Sequence, residues 1–214
     1  DLTRERTKAQ DYMDGTLNDG ELHGMAFRVR EHVVRMASEG GAFVGASLSS
    51  SLLLTYLYSR VLNLSPERPR DPSRDYVFLS SIRDLPALYG TLVERGFLQR
   101  ENLARRIAQD DRFHGCPNQA TPGVECHAGS LSDTFAVALG VSLGLTLEGS
   151  PNRVYVLLGD EERELSRTWE CVRLAAERKL ENLVVVIERN VESTRSEQDD
   201  LGQIVRKWSD ADGP

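Results

Sequence analysis

Cysteine is scarce in this chain. Only Cys116, Cys126 and Cys171 occur, an odd number with no CxxC pair, which excludes a disulfide scaffold and fits a reducing cytoplasm. Lysine is scarcer still for a chain of 214 residues: Lys8, Lys179 and Lys207 are the only three among 26 basic residues. No Lys/Arg stripe offsets the net charge of −7, so nucleic acid and anionic membrane surfaces are not expected partners. The longest apolar runs, around residues 51–58 and 135–147, are too short or interrupted to span a bilayer. No signal peptide is visible, and a chain opening on Asp1 is expected to have lost an upstream segment. Repeats and low-complexity tracts are also lacking. What remains, 40% apolar and 28% charged residues, suits a folded domain with a sizeable core.

The first twenty residues are polar and end in Gly15 and Gly20, so residues 1–20 read as a loosely attached arm and 21–214 as one α/β domain. From Glu21 the pattern becomes helical, with Leu22, Met25, Val29, Val33 and Met36 on one face and Gly40-Gly41 as the stop. A second, buried helix is expected over 48–62. Pro66, Pro69 and Pro72 then make an extended connector. Strands follow. Tyr76–Leu79 is short and apolar, and leads to a helix from Asp84, read as an N-cap with Pro86 in the first turn, to Gly96. A shorter helix is expected over 101–107, then a long loop over 113–128. Residues 131–147 form an almost wholly apolar helix with Gly140 and Gly144 four apart. Val154–Leu158, the helix 165–178 and Leu183–Ile187 make a βαβ unit whose continuous apolar strands indicate a parallel sheet covered on both faces. A last short helix is expected over 201–208.

Ligands of an open parallel sheet bind beyond the carboxyl ends of its strands. Gly159-Asp160 follows one strand and Asn190 the next, so one carboxylate and one amide oxygen can share an edge. Two hard oxygens there make a half-cage for Mg²⁺, with phosphate oxygens completing an octahedron. The plainer alternative is that Glu161, Glu162 and Glu164 favour a helix N-terminus electrostatically and hold nothing.

These residues carry a resemblance. Gly159-Asp160, Trp169-Glu170, the run Lys179–Leu183 and Glu188-Arg189-Asn190 resemble the thiamine diphosphate motif of transketolases, a Gly-Asp-Gly closed by an Asn about thirty residues on. Leu79-Ser80 with Pro86–Tyr89 resembles the family's LS-x-G-H…ALY segment. Pro122–Glu125 with Gly129-Ser130-Leu131 is similar to its PGVE…TGSLGQG loop. Several motifs in order across residues 21–208 make chance a poor explanation. The resemblance implies the thiamine-diphosphate-binding α/β fold of the transketolase N-terminal half, with thiamine diphosphate and Mg²⁺ as cofactors. Asp160 and Asn190 would be metal ligands, with a backbone carbonyl near Glu192 completing the set. Gly159 and Glu161 would lie at the diphosphate, Gly129 and Leu131 against the cofactor ring, and Glu170 near the interface with the pyrimidine-binding half. That C-terminal half, which supplies the cofactor-activating glutamate, would be a separate chain in a hetero-tetramer. No catalytic residue is assigned to this chain.

The sequence also departs from the family pattern. Gly40-Gly41-Ala42-Phe43 stands where the first histidine turn is expected, Arg83 replaces the second histidine and Cys116 the third. Glu161 replaces the last glycine of Gly-Asp-Gly, Leu165 a glutamate, and Ser132-Asp133-Thr134 the GQG. Arg83 could still grip a phosphate through its guanidinium; a surface arginine at a helix start is the alternative. Two functions follow: the small subunit of a two-component transketolase-like enzyme, in specialised metabolism, or a degenerate relative kept as a binding or scaffold subunit. His114, Cys116, Cys126 and His127 are metal-capable, but their spacing is not that of a structural zinc site.

Overall fold

The computed structural model describes residues 17–38, 43–101, 103, 117, 121–125, 133–159 and 166–188. The chain divides into two compact units, Asp1–Arg70 with Arg83–Gly115, and Asp71–Ile82 with Cys116–Pro214.

Helices build the first unit. α1 runs Asp19–Ser38, starting two residues before the expected break. The start is fixed by a reciprocal cap: the Glu21 amide donates to Asn18 Oδ1 (3.0 Å) and the Asn18 amide to Glu21 Oε2 (2.8 Å). Its buried face carries the five residues expected from the spacing, together with Ala26 and His32. α2 covers Val44–Tyr56 and runs on into a π-helical stretch, Leu57–Val61, so it begins four residues before the expected position. Its inward face is unusual, because Ser47, Ser50, Ser51 and Thr55 are buried beside Leu54. Two of these hydroxyls are satisfied within the helix: Ser51 Oγ donates to the Ser47 carbonyl (2.6 Å) and Thr55 Oγ1 to that of Ser51 (2.7 Å).

α3, Leu85–Glu94, packs on both α1 and α2. Gly90 sits where α3 meets α1; a Cβ there would stand 3.2 Å from Val29 Cγ1 and 3.3 Å from the Val29 carbonyl. At the end of α3, Glu94 accepts from Arg28 Nε (2.6 Å) and lies 2.9 Å from Nε2 of the buried His32. Burial alone would raise the Glu94 carboxyl, but the hydrogen bonds and charges of Arg28 and His32 outweigh it and hold it below the usual range. A group depressed in this way stabilises the fold above its unfolded value of about 4.5 and loses that contribution as pH falls through the folded value. Glu94→Gln should therefore cost about 1 kcal/mol at pH 7. In urea titrations the gap from the parent should close as pH drops below the carboxylate range; a gap independent of pH would remove this account.

The second unit holds a three-stranded parallel sheet in the order β1 (Tyr76–Leu79), β2 (Val154–Leu158), β3 (Leu183–Ile187). Leu79 pairs with Leu157, and Leu158 with Ile187. α4, Asp133–Leu147, packs on β1 and β2. α5, Ser166–Glu177, packs on α4. Phe135, Ala138, Leu139 and Leu145 of α4 form the core with Phe78, Val154, Val156 and Leu158. β2 is buried throughout, as its apolar run implied. β3 differs: all five residues are half-buried, because among the described residues this strand has a hydrogen-bonded neighbour on one side only.

Polar side chains tie the loops to the sheet. Asn152 Nδ2 donates to the carbonyls of Pro72 (2.6 Å) and Arg74 (2.8 Å), and Arg153 N donates to Asp75 Oδ1 (3.0 Å). The Arg74 guanidinium lies 4.4 Å from the centroid of the Tyr76 ring and grips both oxygens of Glu125. Glu125 N also donates to the Val77 carbonyl (2.8 Å), so the Thr121–Glu125 stretch lies beside β1. The helices expected over 101–107 and 201–208 lie largely or wholly outside the described residues.

Candidate functional site

The paired strands end together. Leu158 and Ile187 are register partners, and Glu188 N donates to the Leu158 carbonyl (3.0 Å) beyond the last pair. On β1, Ser80 N donates to the Leu157 carbonyl (3.0 Å). The described chain leaves this edge at Gly159 after β2 and at Glu188 after β3. Asp160 is the next residue after the first exit and Asn190 the second after the other. Their positions lie outside the described residues, as do those of Gly129, Leu131, Glu161 and Glu192. The expected chemistry suits the edge: a carboxylate, an amide oxygen and a backbone carbonyl are hard donors of the kind Mg²⁺ takes beside phosphate. Among the described residues no three His, Cys, Asp or Glu side chains gather to hold a metal. His114, Cys116, Cys126 and His127 lie outside them.

Arg83 follows β1 in a single 3-10 turn, Ile82–Asp84, and belongs to the helical unit. Its side chain is exposed and its carbonyl accepts from Ser47 Oγ (2.6 Å). Asp84 occupies the N-cap position of α3, as the sequence implied, but its side chain makes no capping bond. The residue is only 4% exposed, and among the described residues Oδ1 has no hydrogen-bond partner. Nothing in the sequence marked this carboxylate as buried.

Glu170 lies on the exposed side of α5, where it lines a groove against α4. Burial raises the adjacent Cys171 thiol, and the Glu170 charge adds to the effect. A thiol held neutral in this way is a poor nucleophile. Beyond the α5 C-terminus, Asn182 Oδ1 accepts from Ser142 Oγ (2.7 Å) and Thr146 Oγ1 (3.2 Å), and its Nδ2 donates to the Ser142 carbonyl (3.1 Å). The run Lys179–Leu183 thus anchors α4 to the entry of β3. That role was not legible in the spacing.

Parallel strands with helical crossovers that end together at one carboxyl edge define an open α/β domain, the architecture that binds ligands at that edge. Residues 28–200 match the family model described as "Transketolase, thiamine diphosphate binding domain". The chain belongs to the transketolase family through this domain, whose cofactor is thiamine diphosphate, with Mg²⁺ the usual partner ion in the family. It is 34% identical over 177 residues to an apulose-4-phosphate transketolase subunit of Actinobacillus succinogenes, covering 81% of this chain and 64% of that protein. Against the 6-deoxy-6-sulfo-D-fructose transketolase subunit SqwG of Clostridium sp. the identity is 30%, covering 79% and 63%. The chain therefore spans under two thirds of the length of these relatives. The fold matches the transketolase of Campylobacter jejuni with a TM-score of 0.75 at 22% identity, covering 92% of this chain and 36% of that one.

Proposed function

We propose that this chain is the diphosphate-holding subunit of a two-component transketolase that moves a two-carbon ketol unit between sugars in the cytoplasm, in a specialised pathway. The observation that carries the reading is the shared edge of β2 and β3, which the described chain leaves at Gly159 and Glu188, one residue before Asp160 and two before Asn190 in sequence. Relatives that are themselves named as single subunits of transketolases support the two-chain arrangement. When bound, thiamine diphosphate supplies the centre that stabilises the carbanion of the transferred unit. The work assigned to this chain is to hold that group. Asp160, Asn190 and a carbonyl near Glu192 take the metal, Gly159 and Glu161 flank the diphosphate, Gly129 and Leu131 face the ring, and Arg83 offers a guanidinium to phosphate. The partner chain brings the pyrimidine-binding half, and two of each make a hetero-tetramer. Mixing the purified chain with the product of the neighbouring gene should give thiamine-diphosphate-dependent ketol transfer and a larger particle in light scattering, while this chain alone stays silent. Activity from this chain alone, or a neighbour that neither associates nor restores activity, would remove the two-component reading.

A second reading, a non-catalytic subunit of the same fold, is favoured by a specific set of departures. None of the family's three histidines is present, and Arg83, in the place of one, is exposed. Glu161 separates the readings. Glutamate in place of glycine adds bulk and a charge of the same sign as the diphosphate. Glu161→Gly should tighten thiamine diphosphate roughly ten-fold, equivalent to about 1.4 kcal/mol, in a calorimetric titration. Unchanged or weaker binding would show that Glu161 has acquired a useful role. Tighter binding without any turnover would leave the lost histidines as the cause and the non-catalytic reading in place.

A further inference from the structure

Among the described residues, Asp84 is the only buried carboxylate with an oxygen that no donor meets. It closes the turn Ile82–Asp84, which opens three residues after Leu79, the last residue of β1, and it leads directly into α3. Taking a carboxylate out of water without a donor is costly, so buried ones are normally paired. An exception of this kind calls for an explanation, and a donor carried by a ligand supplies one.

The surroundings decide which donor fits. Ser47 Oγ donates to the Arg83 carbonyl, which sets the first turn of α2 beside this turn. α2 and α3 therefore begin close together, and neither start has a side-chain cap. Each start carries a partial positive charge. Phe43, Val44 and Gly45 are exposed, and a Cβ at Gly45 would meet nothing within 4 Å, so the α2 start is open. Arg83 adds an exposed guanidinium next to Asp84 in the chain. Two positive helix starts and a guanidinium repel cations, which makes a metal ion or an ammonium group a poor match. A metal would also lack further ligands, for among the described residues no three His, Cys, Asp or Glu side chains gather. A neutral hydroxyl remains, and its bond to a carboxylate is one of the stronger kinds.

We propose that Asp84 is a specificity residue that accepts a hydrogen bond from a hydroxyl of the acceptor sugar. The inference deepens the proposed function and rests on it. The transferred unit is held through the cofactor, whereas the acceptor is positioned by protein contacts alone. A site built to bond a hydroxyl rejects an analogue that lacks it, because the buried group is then left unmet. Asp84 thus selects hydroxylated aldehydes over plain ones.

Kinetics of the assembled two-chain enzyme with D-glyceraldehyde and with propionaldehyde, which lacks the hydroxyls, test it. The parent should favour glyceraldehyde by about ten-fold or more in kcat/KM. Asp84→Ala should cut that preference to about two-fold, through a loss on glyceraldehyde alone. Asp84→Asn gives a second readout that needs no turnover. It removes the unmet charge and keeps the shape, so this chain by itself should melt about 2–4 °C higher. A lower melting temperature would make the charge a structural support of α3 and overturn the proposal. So would a preference that survives Asp84→Ala, or an equal loss for both aldehydes. An inactive parent complex is the failure of the ketol-transfer reading and takes this inference with it; an active one with its preference intact in Asp84→Ala is the failure of this inference alone.

Discussion

Asp160→Ala is expected to abolish Mg²⁺-dependent binding of thiamine diphosphate in the assembled complex, a loss of a hundred-fold or more in affinity, about 2.7 kcal/mol. The reasoning is coordinative. Mg²⁺ demands near-octahedral oxygen ligands and is held by few protein groups beside substrate phosphates, so losing the one carboxylate removes most of the protein's charge at the ion. The fold should be spared. Asp160 comes two residues after the last residue of β2, beyond the strand whose burial secures the core. Isothermal titration with and without Mg²⁺, paired with a melting curve, reads both halves of the expectation. Equal affinity for variant and parent would mean that Asp160 holds no metal. No binding by either would instead favour the non-catalytic reading.

Glu125→Ala should be the most damaging change in the sheet unit away from its apolar core. The Arg74 guanidinium spends both arms on this carboxylate while lying over the Tyr76 ring, and both side chains are mostly shielded from water. Removing the carboxylate leaves a shielded cation with only the Tyr76 ring and the Asp75 carbonyl (3.0 Å) beside it, which costs about 2–3 kcal/mol. For a chain of this size that is a fall of roughly 4–10 °C in melting temperature. Arg74→Lys should lose part of the same energy, since an ammonium cannot form the two-armed contact. If Glu125→Ala melts within a degree of the parent, the pair is surface decoration.

The strands were legible because burial demands it of them: Tyr76–Leu79, Val154–Leu158 and Leu183–Ile187 are continuous apolar runs, and each lies where its run lies. The α1 face was legible for the same reason. Its start was not, since the cap depends on Asn18 and Glu21 meeting across three residues inside a stretch that read as a polar arm. α2 was misplaced at its beginning because its buried face is serine and threonine, which hydropathy counts as surface. Asp84 was legible as the N-cap position of α3, but not its burial there without a capping bond, which tertiary packing decides. At the candidate site, order and spacing carried the motif, and the register of β2 with β3 supplies the reason that residues thirty apart can serve one ligand. The Arg74–Glu125 grip joins residues far apart in sequence and had no local signal.

The hydroxyl row of α2 has a consequence for how this protein can drift. Ser51 and Thr55 each spend their proton on a carbonyl one turn back in their own helix, and among the described residues neither proton goes to another element. Exchange to alanine removes donor and oxygen together and orphans little, whereas a larger side chain has no room in a close-packed interior. Homologues are therefore free to wander among serine, alanine, threonine and glycine at these positions while barred from leucine. In an alignment the helix would look variable and polar, a surface by its letters and a core by its constraint.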